Sequence, residues 1–354
     1  SVSRLIERAR LASGRTGAIV RWNNWAYCKI AIVVACLCYA TLARDELDAA
    51  ALGDSVLLFA MLCCYAAFGY AINSFSDAPL DASVGKYNPF SAMSPRETYV
   101  TLGKVGVVAL SAGAGVAVYY WRPDVAALVA LGYGLAAAYS LAPFRLKGRG
   151  LLGVIASPLA QHAIPAAIVF TATRTWDAAS ISLSGLSTLI GLRFILVHQL
   201  ADKANDAAAK IRSVATIHGG AAVWRVLTRI VFPIELATLA LAAVFLAPSY
   251  PAVPVAVIVY VCIDWLLARL EGRSRPFMAE SYGVLSGLYF FWLPVILAAY
   301  VCAHDVALWP VAAFTLAWTG HRLWPQLDKL VRIKRSVRRL FQEHRRSQYR
   351  TQGG

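Results

Sequence analysis

The sequence has few charged residues, and this scarcity excludes most soluble proteins. Only 15% of its 354 residues are Asp, Glu, Lys or Arg, against roughly 25% in a typical soluble domain. Hydrophobic residues make up 59% of the chain. Apolar runs of about 18 residues or more recur along its whole length, and each is long enough to cross a bilayer. The composition therefore predicts an all-α, polytopic transmembrane bundle and no soluble domain.

Acidic residues are scarcer than basic ones, and the formal net charge is +15. Such a surplus can indicate nucleic-acid binding. In a membrane protein, however, basic residues gather in cytoplasmic loops and meet anionic lipid headgroups. We therefore expect membrane lipids as partners and no nucleic acid, while an oligomer stays open.

Paired cysteines are also lacking. None of the seven cysteines belongs to a CxxC or Cys/His pattern, and all lie in or beside apolar runs. This distribution offers no zinc-binding motif and is typical of small core residues.

The chain divides into a polar, basic segment 1–25, a membrane domain 26–324 of nine to ten spans, and a basic tail 325–354. We expect no cleavable signal peptide, since the first segment is polar. That segment, the tail and the loops after even-numbered spans hold nearly all loop Lys and Arg, which places them in the cytoplasm. We expect an integral protein of a bacterial inner membrane.

Two sets of polar side chains stand where the second and sixth predicted spans end. The first ladder consists of Asn73, Asp77 and Asp81. The second ladder consists of His198, Asp202 and Asp206. In each ladder the spacing is i, i+4, i+8, which puts the side chains on one helix face. Because both follow even-numbered spans, they predict an aspartate-rich cap on the cytoplasmic side.

Two facing ladders suit a diphosphate held by Mg²⁺, which takes carboxylate and phosphate oxygens. A diphosphate with a long hydrocarbon tail would place its tail among the apolar helices. The basic candidates for the phosphates are Lys86, Arg145, Lys147, Lys210 and Arg212. A solvated helix end would explain either ladder alone, and loop topology would explain each basic residue alone.

Four motifs, in order, resemble the UbiA superfamily of intramembrane prenyltransferases over about residues 20–300. They are Asn73-x₃-Asp77-x₃-Asp81, Lys86-Tyr-Asn88-Pro, Tyr139-Ser-x-x-Pro-x-Arg145-x-Lys147 and Asp202-x₃-Asp206. The resemblance implies transfer of an isoprenyl group from a polyprenyl diphosphate to a small or lipid-like acceptor, with release of diphosphate.

The ladders, the basic loops and the resemblance together give expected roles for individual residues. The expected Mg²⁺ ligands are Asn73, Asp77, Asp81, Asp202 and Asp206. The expected diphosphate contacts are Asn73, Lys86, Asn88, Tyr139, Arg145, Lys147, Lys210 and Arg212. The expected catalytic residues are Asp77, Asp81, Asp202, Asp206 and His198, the last as a base, a metal ligand or an acceptor contact. His198 departs from the usual Asp or Asn of the family, and the tenth span and the tail are additional.

Other functions remain open at this stage. A terpene cyclase or a phosphoribosyl transferase acting on polyprenyl phosphate would use the same scaffold. A transporter is less favoured, because its carboxylates are expected near the middle of the membrane. The ionisable residues predicted within spans are candidates for buried pairs or acceptor contacts: Lys29, His162, Arg193, Glu235 and Asp264.

Overall fold

The structure is a computed structural model, and it describes residues 16–26, 28–44, 48–209, 211–270, 285–325 and 327–335. These residues are helical or lie in turns and short connections. The β pairing among them is an isolated bridge between Arg149 and Arg212. The all-α class predicted from the composition is therefore confirmed.

Ten longer helices follow one another along the described chain. They are α1 Lys29–Leu42, α2 Ala49–Ser83, α3 Pro95–Tyr120, α4 Pro123–Ser140, α5 Leu151–Thr173, α6 Ala178–Ala201, α7 Gly220–Leu246, α8 Ala252–Leu270, α9 Leu288–His304 and α10 Trp309–Thr319. Each overlaps one of the apolar runs from which the spans are predicted.

Six of these helices are long and apolar enough to cross a membrane, namely α2, α3, α5, α6, α7 and α8. The others are shorter or less apolar. Helix α10 has 11 residues and is therefore about 17 Å long at 1.5 Å per residue, less than the ~30 Å of the hydrocarbon layer. The 3₁₀ turns Val306–Leu308 and Gly320–Arg322 adjoin α10 at its two ends, and the tenth span stays a prediction.

Helix α1 lies at the centre of the bundle. Every residue from Ile30 to Thr41 is buried, because α1 packs against α2, α5, α6, α9 and α10. A helix that is apolar on all sides needs such an environment. On the outer helices, by contrast, large apolar side chains such as Val107, Val108 and Leu110 of α3 are exposed, as lipid-facing residues are.

Helix α2 continues well beyond the predicted end of its span. The polar stretch 73–98 reads as a loop after Ile72, but the helix extends to Ser83. Helix α3 then begins at Pro95, where Ser94 and Glu97 form a capping box. The first ladder therefore lies on a helical extension, as its i, i+4 spacing predicts.

The second ladder spans a helix junction without losing its register. Helix α6 ends at Ala201, and a short helix, Lys203–Ala208, follows at once. The backbone N–H of Asp202 donates to the carbonyl of His198 (2.9 Å), and that of Asp206 donates to Asp202 (2.8 Å). The helical spacing of the three side chains is thus kept.

Candidate active site

Both ladders line one cavity of about 1730 Å³, here called the cap cavity. Its walls carry nearly all of the residues predicted to form the site: Asn73, Asp77, Asp81, Lys86, Tyr139, Arg145, Lys147, His198, Asp202, Asp206 and Arg212. Lys210 lies outside the described residues. The fold therefore brings together side chains more than one hundred positions apart.

Lys147 supplies the positive charge closest to Asp77 of the first ladder. Its ammonium donates to Asp77 Oδ1 at 2.5 Å, to Ser76 Oγ at 2.6 Å and to Asn73 Oδ1 at 2.8 Å. Arg145 lies farther away, 4.0 Å from Asp77 Oδ1, and is about half exposed. Burial lowers the pKa of Lys147, while the charge of Asp77 opposes that shift.

Asp81 is buried and is held by other parts of the chain. Its Oδ2 accepts a hydrogen bond from Asn88 Nδ2 at 2.8 Å. The Lys86 ammonium lies 3.8 Å from Oδ1, and the Arg21 guanidinium lies 3.7 Å from Oδ2. Asp81 is therefore surrounded by donors from the segment before α1 and from the loop after α2.

Asn88 differs from the other predicted site residues because it does not line the cap cavity. Its side chain is 2% exposed. Besides its bond to Asp81, its amide nitrogen donates to the carbonyl of Ser74 (2.8 Å), and its oxygen accepts from Phe90 N (3.0 Å). These contacts hold the loop of residues 84–94 against α2.

The second ladder is less enclosed by cations than the first. His198 Nε2 lies 3.3 Å from Asp202 Oδ2, and both side chains are substantially exposed. Partial burial raises the pKa of Asp206; a hydrogen bond with Ser213 opposes that shift, and the nearby charge of Asp202 adds to it.

Two loops of the cap are joined by backbone contacts. Arg149 and Arg212 form the isolated bridge, and the N–H of Gly150 donates to the carbonyl of Arg212 at 2.8 Å. Gly150 has a φ of 55°, a left-handed backbone conformation in which a residue with a side chain would be strained. This junction ties the turn after α4 to the loop after α6 and fixes Arg212 at the cavity wall.

The donors of the first ladder suit a hard cation. The Lys147 ammonium already stands among three oxygen atoms, as a positive charge that the chain itself supplies. The described residues contain no cluster of three or more His, Cys, Asp or Glu side chains able to hold a metal alone. Mg²⁺ does not require one, since it usually takes one or two carboxylates together with waters and substrate phosphates.

A second cavity of about 510 Å³, here called the inner chamber, lies beside the cap cavity. Asn73, Tyr139, Ile195 and His198 line both cavities, so the two adjoin beneath the ladders. Most other residues around the inner chamber are apolar or aromatic and come from α1, α2, α5, α6 and α9.

Two residues that contact site residues, Arg21 and Ser76, were missed by the sequence analysis. Arg21 counted there only as part of a basic segment, and Ser76 was passed over within the first ladder. The contact of Arg21 with Asp81 and that of Ser76 with Lys147 each join positions that are distant in sequence. Arg21, close before the first span on the side of the ladders, offered a weak signal.

One buried and one partly buried ion pair account for three of the other ionisable residues predicted within spans, namely Arg193, Glu235 and Asp264. Arg193 Nε lies 2.7 Å from Glu235 Oε2, both side chains are fully buried, and Tyr289 donates to Glu235 Oε1 at 2.9 Å. Lys329 donates to Asp264 Oδ1 at 2.6 Å. These pairs tie α6, α7 and α9 together and attach residues 327–335 to α8.

The fold and the site define an integral membrane protein of helical spans, with a charged cavity above a largely apolar chamber. A sequence profile of the UbiA prenyltransferase family matches residues 30–282. The chain therefore belongs to the UbiA prenyltransferase family. No curated protein sequence matches it.

Solved structures of a UbiA homologue from Archaeoglobus fulgidus share the fold. The form bound to GPP and Mg²⁺ has a TM-score of 0.59 at 15% identity and covers 84% of this chain and 99% of its own. The form bound to DMAPP and Mg²⁺ has a TM-score of 0.57, the same identity and the same coverage. At this identity the likeness establishes the fold.

Proposed function

We propose that this protein transfers a prenyl group from a prenyl diphosphate to an acceptor within the membrane, in a reaction that depends on Mg²⁺. One observation carries the proposal: both ladders, with their basic neighbours, line one cavity that adjoins an apolar chamber. The charged cavity suits a diphosphate, and the apolar surroundings suit a hydrocarbon.

The fold relatives support the same chemistry. The Archaeoglobus fulgidus homologue binds DMAPP or GPP together with Mg²⁺. Both compounds are allylic diphosphates, which is the substrate class that the cap cavity favours on charge and size.

The residues proposed to hold Mg²⁺ and the diphosphate are Asn73, Asp77, Asp81, Asp202 and Asp206. When bound, Mg²⁺ stabilises the negative charge that develops on the departing diphosphate. The side chains of Lys147, Arg145 and Lys86 lie close to Asp77 or Asp81. Their positive charges would add to this stabilisation of the diphosphate. As phosphate enters, Lys147 exchanges part of its contact with Asp77 for a phosphate oxygen.

The transfer step breaks the bond between the allylic carbon and the diphosphate oxygen, and the electron pair leaves with the diphosphate. An electron pair of the acceptor forms the new bond to that carbon, and the acceptor releases a proton. His198 is placed to receive this proton, because it lines both cavities and contacts Asp202. Asn88 acts as a positioning residue for Asp81.

The charge of the loops supports a cytoplasmic orientation of the site. Lys86, Arg145, Lys147, Arg149 and Arg212 all lie on the side of the ladders. Because basic loops face the cytoplasm, the proposed site opens to that side.

The test is a turnover assay on the purified protein in nanodiscs. Prenyl diphosphates from geranyl to long polyprenyl chains are offered with Mg²⁺, with and without a panel of acceptors. Diphosphate release and lipid products are followed by mass spectrometry. Asp77→Asn and Asp202→Asn are the inactive controls, and Lys104→Met, an exposed position on α3, is the matched surface control.

Acceptor-dependent diphosphate release that both aspartate variants abolish and Lys104→Met retains is the expected result. Release without acceptor that yields a cyclic hydrocarbon would instead establish a cyclase and overturn the transfer reaction. Failure of every prenyl diphosphate to react would overturn the proposal as a whole.

A further inference from the structure

The helical residues 327–335, here called the C-terminal helix, pack against α8 through one face. Lys329 donates to Asp264 Oδ1 at 2.6 Å and to the Tyr260 hydroxyl at 2.7 Å, both on α8. Ile333, one turn further along the same face, is partly buried. These contacts fix which face of the helix points towards the bundle and which points away from it.

The opposite face of the C-terminal helix is apolar and exposed. Leu327, Leu330 and Val331 have exposed fractions of 44%, 52% and 42%. Their spacing of i, i+3, i+4 puts them on one stripe of the helix. Leu323 and Trp324, just before the helix, are exposed as well. The end of the described chain therefore presents a continuous set of large apolar side chains outside the bundle.

Basic residues flank the apolar stripe. Arg332 and Arg335, at i and i+3, share a face beside the stripe and are exposed, and Lys334 is exposed at the end of the stripe. With Lys329, residues 327–335 hold four basic residues against one acidic residue, Asp328. A helix with an apolar stripe and a basic face is typical of segments that lie in the interface of a membrane containing anionic lipid.

Contacts of α10 and α8 place the C-terminal helix at the membrane surface on the side of the ladders. The Trp318 indole, near the end of α10, donates to the carbonyl of Ala26 at 2.7 Å, and its ring lies 5.4 Å from that of Trp22, which lines the cap cavity. On α8, Trp265 is exposed, and the Arg269 guanidinium carbon lies 5.4 Å from its ring centroid. Exposed tryptophans are typical of the level at which lipid headgroups begin.

A second copy of the chain is the competing occupant of the apolar stripe. Two such helices would bring their basic residues together, and like charges repel across an interface. Anionic headgroups attract the same residues, while acyl chains cover the apolar stripe. The charge and the hydrophobicity of the helix therefore both favour a lipid surface.

We propose that the C-terminal helix is an interfacial helix that binds anionic phospholipid in the leaflet on the side of the ladders. Leu327, Leu330 and Val331 enter the acyl region, while Lys334 and Arg335 contact the phosphate groups of the lipid. The lipid surface thus covers the face that α8 leaves exposed, and it anchors the end of α10. This inference does not depend on the proposed prenyl transfer.

Hydrogen exchange of the backbone amides of residues 327–335 tests this proposal on the full chain, in nanodiscs that hold one chain each. Discs of phosphatidylcholine alone are compared with discs that also contain phosphatidylglycerol. The variants are Lys334→Gln/Arg335→Gln and Leu330→Gln. The charge-matched control is Arg96→Gln/Lys104→Gln, which removes two exposed basic residues of α3. Exchange in α5, measured in the same samples, reports whether each variant is folded.

We expect exchange in the C-terminal helix to be at least about fivefold slower in discs with phosphatidylglycerol, as the attraction of even one basic residue to an anionic surface implies. The Lys334/Arg335 variant should lose most of this difference, and the α3 control should keep it. Leu330→Gln should exchange faster in both kinds of disc. Equal exchange in the two kinds of disc, a difference that the Lys334/Arg335 variant keeps, or an unchanged rate in Leu330→Gln would each overturn the proposal.

Two further measurements separate the lipid surface from other occupants. Glycerol 1-phosphate, the free headgroup anion, should leave exchange unchanged when it is added to phosphatidylcholine discs. Protection by it would indicate a simple phosphate site and overturn the lipid surface. Discs that hold two chains should give the same exchange rates as discs that hold one. Protection that needs two chains would place a second copy on the apolar stripe and overturn the proposal.

Discussion

Among the described cationic side chains that contact the first ladder, Lys147 is the least exposed, and the proposed diphosphate would bind beside it. Lys147 bridges Asn73, Ser76 and Asp77 with one ammonium group. A cation held this way keeps two ladder residues in register, and it would compete with the proposed Mg²⁺ for their oxygens.

Lys147→Met separates these two effects. We expect turnover to fall by about 10²–10³-fold, as on loss of a charge-stabilising donor, while Mn²⁺, used as a spectroscopic substitute for Mg²⁺, binds more tightly without substrate. Arg145→Met, at a half-exposed position 4.0 Å from Asp77, should reduce turnover less. Weaker Mn²⁺ binding by Lys147→Met would contradict this role.

Asn88 affects the site through Asp81. Asn88→Ala leaves a buried carboxylate and a buried carbonyl without their donor, which costs about 1–3 kcal/mol. We expect a lower thermal unfolding temperature together with reduced turnover. Ser91→Ala, which removes an exposed hydrogen bond from the same loop to the Ala78 carbonyl at 3.2 Å, is the control and should change both quantities less. An Asn88→Ala protein with native stability and native KM would show that the anchor is dispensable.

Sequence reasoning at this scale found the ladders because the i, i+4 spacing is local. It could not show that Lys147 rather than Arg145 contacts Asp77 most closely, since the turn between α4 and α5 decides which side chain points inward. Nor could it show that Asn88 is buried behind Asp81, because that depends on how the loop after α2 folds back.

At the scale of elements, α5 and α6 meet at a close contact. A Cβ added to Gly191 would lie 2.4 Å from Cδ2 of His162. His162 belongs to the π-helical segment Leu159–Ala163 of α5, and its Nδ1 lies 3.3 Å from Ser187 Oγ of α6. The glycine therefore lets the widened turn of α5 pack against α6.

Gly191→Ala should destabilise the protein by about 1–3 kcal/mol through overpacking. It should also narrow the inner chamber, which both residues line. Gly134→Ala in α4 is the matched control, since a Cβ there meets nothing within 4 Å. Thermal unfolding in detergent compares them. Equal unfolding temperatures would show that α5 yields without strain.

The Arg193–Glu235 pair joins α6 to α7 in the core. Glu235→Ala removes the carboxylate that pairs with the buried Arg193 guanidinium and should destabilise the protein by about 3–5 kcal/mol. Tyr289→Phe removes one hydrogen bond to Glu235 and should cost only about 0.5–1.5 kcal/mol. Folded yield in size-exclusion chromatography and the thermal unfolding temperature measure the two effects. Similar losses of stability in both variants would contradict the ion pair as the stronger of the two contacts of Glu235.

The positions of the helices were largely predictable, because apolar runs of helical length are marked by turns and polar residues. Their ends were less so. The polar composition after Ile72 indicated a loop. Instead α2 continues to Ser83, where Asn88 of the loop 84–94 bonds to its last turns. The π-helical segments of α5 and α7 carry no sequence signal apart from a nearby proline.

At the scale of the whole molecule, the central feature is the meeting of two distant ladders. Positive-inside counting predicts that they share a membrane side, but only the packing of α2, α5 and α6 around α1 puts them on one cavity. The inner chamber depends on still more distant parts, since Lys29 and Arg322 lie at opposite ends of the described chain. No local sequence pattern predicts that residues so far apart in the chain line the same cavity.

The most direct measurement is calorimetric binding of geranyl diphosphate to the native protein, Asp77→Asn, Asp202→Asn and the double variant, with and without Mg²⁺. If both ladders hold one metal–diphosphate group, native binding requires Mg²⁺. Each single variant then loses at least about tenfold, or roughly 1.4 kcal/mol, and the double variant loses clearly less than the sum of the two. Binding without Mg²⁺, or losses that simply add, would contradict a site shared by the two ladders.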